Sequence, residues 1–336
     1  MNENILIVGG DVNNEKKSSI LKKMSISVNQ IFNVDNKLYN GELPTQNEIK
    51  KYDLIIWTPD ISNEQEKDYP IKKKGSVLIC SKVMREGYND FVAISRIFKM
   101  NGNAVIAIYK DDPKKIRFKL IDALGNIWIN TNDIGELCFN IKKFYTWTKE
   151  SIRKSLNWKD YSEVVMDEPI NHILVKLIDI NNKLSDKVVN AVGKRFFGNV
   201  STRCMGLFPT SIENNLIYVS RRNIDKSKLS VDDFVICDKE FNFYGDNKPS
   251  VDSPIQISLY NAFPKIRYMI HGHAYISDAD ITNKYVPCGD MREVDEIKKV
   301  WGDKPKNINL KNHGFLIVAE SLEELENIIN NVKVSL

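Results

Sequence analysis

The sequence predicts an α/β protein of two domains, the first built on a Rossmann-like parallel sheet. Three observations carry this expectation. Short uninterrupted apolar runs recur in the first third of the chain: ILIV at residues 5–8, DLIIW at 53–57, SVLIC at 76–80 and AVIAI at 104–108. Such runs suit strands buried on both faces. Between the last two, Phe91, Ile94, Ile97 and Phe98 recur at helical spacing, and strands alternating with helices imply a parallel sheet with helical crossovers. The length, 336 residues, points to two domains.

In chain order, the first run ends in Gly9-Gly10-Asp11, a tight turn after the first strand. The dinucleotide fingerprint GxGxxG and the phosphate loop GxxxxGK[ST] are both absent, so the glycine pair reads as a turn. Were this domain to hold a ligand, Asp11, Asp60, Ser81 and Lys82 would mark the place, since open parallel sheets bind at strand ends. RFKLID at 117–122 and IWI at 127–129 read as a hairpin turning at Gly125-Asn126. This domain spans residues 1–145. Residues 146–167, with Trp147, Trp158 and Tyr161, read as a helical connecting segment. Pro169 opens an amphipathic helix carrying Ile173, Leu174, Leu177 and Ile178, and with it a second domain, 168–336. His172 on that helix reads as a surface residue.

Composition sets bounds. Hydrophobic residues make up 42% and charged residues 27%, ordinary for a globular chain. Lys and Arg exceed Asp and Glu by 48 to 44, too balanced to argue for nucleic acid. The basic run Lys72-Lys73-Lys74 reads as solvated loop charge. Cys80, Cys138, Cys204, Cys237 and Cys288 are odd in number, scattered and without CxxC spacing, which fits reduced thiols in a cytoplasmic compartment. No stretch has the length of a membrane span, and no signal peptide is visible.

The chemistry concentrates in the second domain. The run YMI at 268–270 leads into His271-Gly-His273. On a strand, side chains two apart share a face, so two imidazoles lie side by side and can form half of a metal site. A third histidine follows in NHG at 312–314, ahead of FLIV at 315–318. Spacing alone leaves open whether these are ligands or satisfied polar groups, and it identifies no reaction.

The series GNVS at 198–201, LSVDDFV at 229–235, PSVD at 249–252, HGH, NHG and a helix opened by Ser321 with Glu324 as a capping box resembles, in this order, the class II aldolase/adducin family. The resemblance covers roughly residues 168–336; the first domain has no such match. It implies an α/β domain with a mainly antiparallel sheet flanked by helices. It also implies homo-oligomers, typically tetramers, with sites between neighbouring subunits. The family's metal, usually zinc or otherwise another divalent ion, would be held by His271, His273 and His313. The substrate would be a small sugar phosphate or similar anion, with no nucleic-acid or membrane partner. A metal on three protein ligands keeps positions open for substrate and can polarise a hydroxyketone.

A carboxylate must then move a proton. In the family this is the Glu of a PSSE motif; here the matching residue is Asp252, shorter by roughly one C–C bond, about 1.5 Å. Displacement on that scale can cost about 100-fold in rate. Ser253-Pro254 follow, so Asp252 sits near a helix N-terminus, which favours a carboxylate; it reads as acid/base, as helix cap, or as both. The family's phosphate residues map onto Asn199 and Ser250, while its second Ser is Val251. Its Thr-x-Ser-Gly loop becomes Ser220-Arg221-Arg222-Asn223. Asn223 tolerates the positive φ of the replaced Gly and would line the anion site with Asn199 and Ser250; Arg222 suits an anion or reads as exposed loop. Residues 204–215 read as an insertion, a flap or a plain loop.

The expected function is a zinc-dependent aldolase-type lyase on a phosphorylated or anionic sugar. The alternatives are a scaffold protein retaining fold and metal, or a related epimerase or dehydratase. The sequence separates none of these by product and assigns the first domain no ligand.

Overall fold

The computed structural model describes residues 4–10, 15–58, 70–73, 75–112, 115–151, 154–160, 168–188, 191–192, 195–203 and 216–335. The chain divides into two compact units, Met1–Glu150 and Ser151–Leu336. Asp11, Asp60, Tyr161, Lys74 and the insertion at 204–215 lie outside the described residues.

The first unit runs β1 (Ile5–Gly9), α1 (Glu15–Phe32), β2 (Lys37–Asn40), α2 (Gln46–Ile49), β3 (Leu54–Thr58), β4 (Val77–Met84), α3 (Asp90–Lys99), β5 (Ala104–Asp112), β6 (Lys115–Asp122), β7 (Ile127–Thr131) and α4 (Ile134–Glu150). Among the described residues these strands form one sheet in the order β2-β1-β3-β4-β5-β6-β7. The first five are mutually parallel, and β6 and β7 add the expected antiparallel hairpin. Alternation explains the continuous apolar runs. Ile5, Ile7, Leu54 and Ile56 face Leu21, Met24 and Val28 of α1 with Leu137 and Ile141 of α4. Leu6, Val8, Ile55 and Trp57 face Ala93, Ile94 and Ile97 of α3. With both faces covered, such a strand reads as a near-continuous apolar run.

Three expectations need correction here. Ser81 and Lys82 do not lie at a strand end: β4 continues to Met84, and buried Ser81 donates to the Trp57 carbonyl. The helical connecting segment is not continuous. Its first part is the end of α4, where Trp147 packs against Trp128 of the first sheet (5.4 Å between rings), and Trp158 lies on an exposed strand. Lys72 and Lys73 are not simply solvated: Lys73 pairs with Asp53 at 2.9 Å and Lys72 donates to Asn103.

The second unit runs β8 (Asn157–Lys159), α5 (Glu168–Ser185), β9 (Ala191–Val192), β10 (Arg195–Phe196), β11 (Asn199–Arg203), β12 (Leu216–Ser220), β13 (Phe234–Asp238), β14 (Asn242–Tyr244), α6 (Ser253–Ala262), β15 (Tyr268–Gly272), β16 (Tyr275–Ile276), β17 (Asp280–Ile281), α7 (Arg292–Trp301), β18 (Ile308–Leu310), β19 (Gly314–Ala319), α8 (Leu322–Asn331) and β20 (Val334–Ser335). Its main sheet has the order β17-β18-β19-β15-β11-β12-β13-β14-β8. It is mostly antiparallel, with parallel pairs only at its two ends. One face, through Met269, Leu316 and Val318, packs on α6 and α7. The other, through Tyr268, Ile270, Phe315 and Ile317, packs on Leu177 and Leu184 of α5 and Leu325 and Ile329 of α8. His172 is exposed on α5, as expected. Ser321 caps α8 by accepting from the Glu324 amide, but the Glu324 carboxylate accepts from Glu320, one residue before the cap, so the expected capping box is only half formed. No helix among the described residues is long and apolar enough to cross a membrane.

One buried group carries a stability prediction. Lys226 is 3% exposed; burial pushes its ammonium down to about 8, with Asp225 and Asp233 opposing. The unfolded chain therefore binds more protons between pH about 8 and about 10.5, and stability rises with pH across that window. The full span is worth on the order of 3 kcal/mol. Thermal unfolding at pH 8 and pH 10 should show that rise in the wild type and flatten it in Lys226→Met; identical profiles for the two proteins would contradict it.

Candidate metal centre

The site forms where β15 ends, on the sheet face covered by α6 and α7. His271 and Met269 alternate onto this face, and His273 follows two residues on. β19 is the neighbour of β15, and the turn before it presents His313, with Asn312 at φ +54. Two glycines permit this approach. A Cβ at Gly272 would meet the Phe315 ring at 2.5 Å, and one at Gly314 would meet the Gly272 carbonyl at 2.0 Å. The three imidazoles converge: ring centroids are 5.0 Å apart for His271 and His273, 4.8 Å for His271 and His313, and 5.2 Å for His273 and His313. One donor nitrogen from each lies within 4.8 Å of the others.

Each ring is held from behind. The Nδ1–H of His271 donates to the Phe315 carbonyl (2.8 Å). Its Nε2 is buried without a hydrogen-bond partner among the described residues. His313 Nδ1 bonds Glu293 Oε1 at 2.7 Å, and both residues are buried. His273 stacks on Phe197 at 4.8 Å. A carbonyl or carboxylate fixing the far nitrogen sets the tautomer that leaves the near lone pair for a metal. Burial, with the other histidines adding, pushes His271 down to about 4 and His273 well below its ordinary value. Both rings are thus neutral at pH 7, the form that ligates. His313 is held well above its ordinary value: burial works against its charge, but Cys288 and the Glu293 carboxylate outweigh it. Three imidazole nitrogens, one of them otherwise an orphaned buried acceptor, form a donor set that fits zinc or another first-row divalent ion.

Asp252 borders this cluster. Its Oδ2 is 3.9 Å from His271 Nε2, and its Oδ1 accepts the Gly289 N–H at 2.7 Å. It occupies the N-cap position of α6, yet its side chain makes no capping bond. Capping alone therefore does not account for it. Pro254 stands in the first turn, as expected.

Of the residues expected to hold an anion, Asn199 and Ser250 are joined through their side chains, and Arg222 is tied to their neighbourhood only through its backbone. Asn199 is the cross-strand partner of His271. Its Nδ2 donates to Ser250 Oγ at 3.1 Å, and its Oδ1 accepts from Gln256. The turn after β12 lies against the segment of Ser250: Arg221 bridges Pro249, and the Arg222 amide donates to the Lys248 carbonyl. Asn223 keeps the turn in place of glycine, at φ +58, and its Oδ1 accepts from the Phe196 amide. That oxygen is thus used to fix the approach to Phe197. Arg221 pairs with Asp233 at 2.9 Å, while the Arg222 side chain is exposed.

Sequence reasoning missed Glu293, Gln256 and Cys288. Cys288 Sγ is 3.1 Å from His313 Nε2, and with Asp252 and His313 it forms a second group of donors within 4.8 Å. Neither Glu293 nor Cys288 stands in a motif with His313, which lies 20 and 25 positions onward.

Residues 177–279 match the family model described as Class II Aldolase and Adducin N-terminal domain. The match includes His271, His273 and Asp252 and ends before His313. Among solved structures, an L-fuculose 1-phosphate aldolase is 20% identical, covering 49% of this chain and 82% of its own with a TM-score of 0.38. An aldolase II superfamily protein from Pseudomonas syringae is 16% identical, covering 50% and 73% at a TM-score of 0.39. An L-fuculose 1-phosphate aldolase from Glaciozyma antarctica is 14% identical, covering 50% and 72% at 0.37. The C-terminal unit of this chain contains a class II aldolase/adducin domain.

Proposed function

We propose that the second unit is a divalent-metal-dependent lyase of the aldolase type, acting on a small phosphorylated or otherwise anionic sugar, with zinc as the metal. The observation that carries this reading is the convergence of His271, His273 and His313, with the orphaned Nε2 of His271 beside the Asp252 carboxylate. When bound, the metal supplies Lewis-acid stabilisation of charge developing on the oxygens of a hydroxyketone. The chain supplies the rest. Phe315 and Glu293 hold two of the imidazoles in ligating orientation. Asp252 takes or returns a proton at Oδ2, while the Gly289 amide retains Oδ1. Asn199 and Ser250, with the exposed Arg222, bind the anionic end of the substrate, Arg222 by charge-assisted hydrogen bonds. The proposal includes a homo-oligomer, as in the family the sequence resembles.

The test is incubation of zinc-loaded protein with a panel of ketose 1-phosphates, followed by product analysis by NMR. Two carbonyl fragments are expected. A single isomeric product would redirect the reading to an epimerase, loss of water to a dehydratase. The scaffold alternative draws support from Val251 in place of a phosphate-binding serine and from the shorter acid at Asp252; binding without turnover of any substrate would favour it.

A further inference from the structure

We propose that Cys288 is a fourth protein ligand of the metal centre, binding through sulfur beside His271, His273 and His313. This rests on the metal reading above and goes beyond its three nitrogens; a substrate oxygen would then have to add as a fifth ligand. Cys288 Sγ approaches His313 Nε2 to 3.1 Å, on the side of that ring opposite the Glu293 bond. In a tetrahedral site with Zn–N near 2.0 Å and Zn–S near 2.3 Å, the distance between adjacent nitrogen and sulfur ligands is roughly 3.5 Å. The sulfur thus stands about where a neighbouring ligand of His313 belongs. The two donor groups, the three histidines and Asp252–Cys288–His313, share His313 but are not one group, so Cys288 enters from the Asp252 side and closes on His271 and His273 only as the metal binds.

The loop carrying Cys288 is fixed. The next residue, Gly289, donates its amide to Asp252 Oδ1, and a Cβ there would meet Val251 at 2.6 Å. A plain thiol–imidazole hydrogen bond explains less. A thiol is a weak donor, and that bond leaves the buried Nε2 of His271 without a partner. A cation would give both a partner: the N–H bond of protonated His313 Nε2 and the S–H bond of Cys288 break, nitrogen and thiolate bind, and both protons leave to solvent. The other described thiols, Cys80, Cys138 and Cys237, are fully buried among apolar core residues, and none belongs to a donor group among the described residues.

The test is reconstitution of the full chain with cobalt(II), read by absorption and by bound-cobalt stoichiometry. Wild-type protein should show a sulfur-to-cobalt charge-transfer band in the near ultraviolet. Cys288→Ser and Cys288→Ala should lose that band, still bind cobalt, and show affinity at least about tenfold lower, since even residues that only support a ligand are worth that much. His271→Ala should lose the cobalt itself. Cobalt that binds in wild type and is lost with His271→Ala, but shows no charge-transfer band or keeps its band in both Cys288 variants, overturns the sulfur ligand and leaves the three-histidine centre intact. Failure of wild type to bind cobalt overturns both.

Discussion

Asp252→Asn should lower turnover about 10²–10⁴-fold, the range a positioned general acid or base contributes, while leaving metal content unchanged. The substitution isolates the proton. Asn keeps an oxygen for the Gly289 N–H that Asp252 Oδ1 accepts, and α6 loses no cap because the Asp252 side chain makes no capping bond. What it loses is the basic oxygen 3.9 Å from His271 Nε2. Steady-state kinetics on the substrate found in the cleavage panel measures the effect. An unchanged kcat would remove Asp252 from the chemistry. A large gain with Asp252→Glu would show that the shorter side chain places its carboxylate out of reach, and would move the natural protein toward the binding-protein reading.

Glu293→Gln should weaken metal affinity about 10–100-fold, the usual cost of losing a residue that supports a ligand. Glu293 is 3% exposed and accepts from His313 Nδ1 at 2.7 Å. Gln preserves the shape and one acceptor but not the charge, so Nε2 becomes a poorer donor to the metal. The pH dependence separates this from general damage. The carboxylate raises His313, so in the wild type a proton competes for the ring up to higher pH. Removing the charge weakens that competition. The affinity gap should therefore be widest at alkaline pH and narrow as the pH falls. Competition titration against a chelator across pH measures it; an equal deficit at every pH would contradict the electrostatic account.

Much of the fold was legible because its strands are buried on both faces. ILIV and LIIW read as strands since Leu6 and Ile7 point to opposite faces and both meet a helix core. β2 and β8 escaped notice for the converse reason. Lys37–Asn40 is an edge strand with no fully buried residue, and Asn157–Lys159 is exposed throughout, so neither leaves an apolar pattern. The apolar pattern of SVLIC stops at Cys80 because polar Ser81 and Lys82 follow, whereas pairing with β5 carries β4 on to Met84. In the site, His271 and His273 announced themselves by strand alternation and His313 by its motif. Glu293 and Cys288 did not. One lies in the first turn of α7 and the other in the loop before it, and only the packing of α7 on the sheet brings them to His313. The cysteine pattern did imply reduced thiols, a condition for a sulfur ligand, but nothing local distinguishes Cys288 from the four others.

The central claim is that His271, His273 and His313 form one metal centre. The most direct test is elemental analysis of protein purified without chelator, wild type beside His271→Ala. The account predicts one equivalent of a divalent metal per chain in the wild type and its loss in the variant, with both proteins folded by circular dichroism. Metal-free wild type, or equal metal in the two proteins, would contradict it.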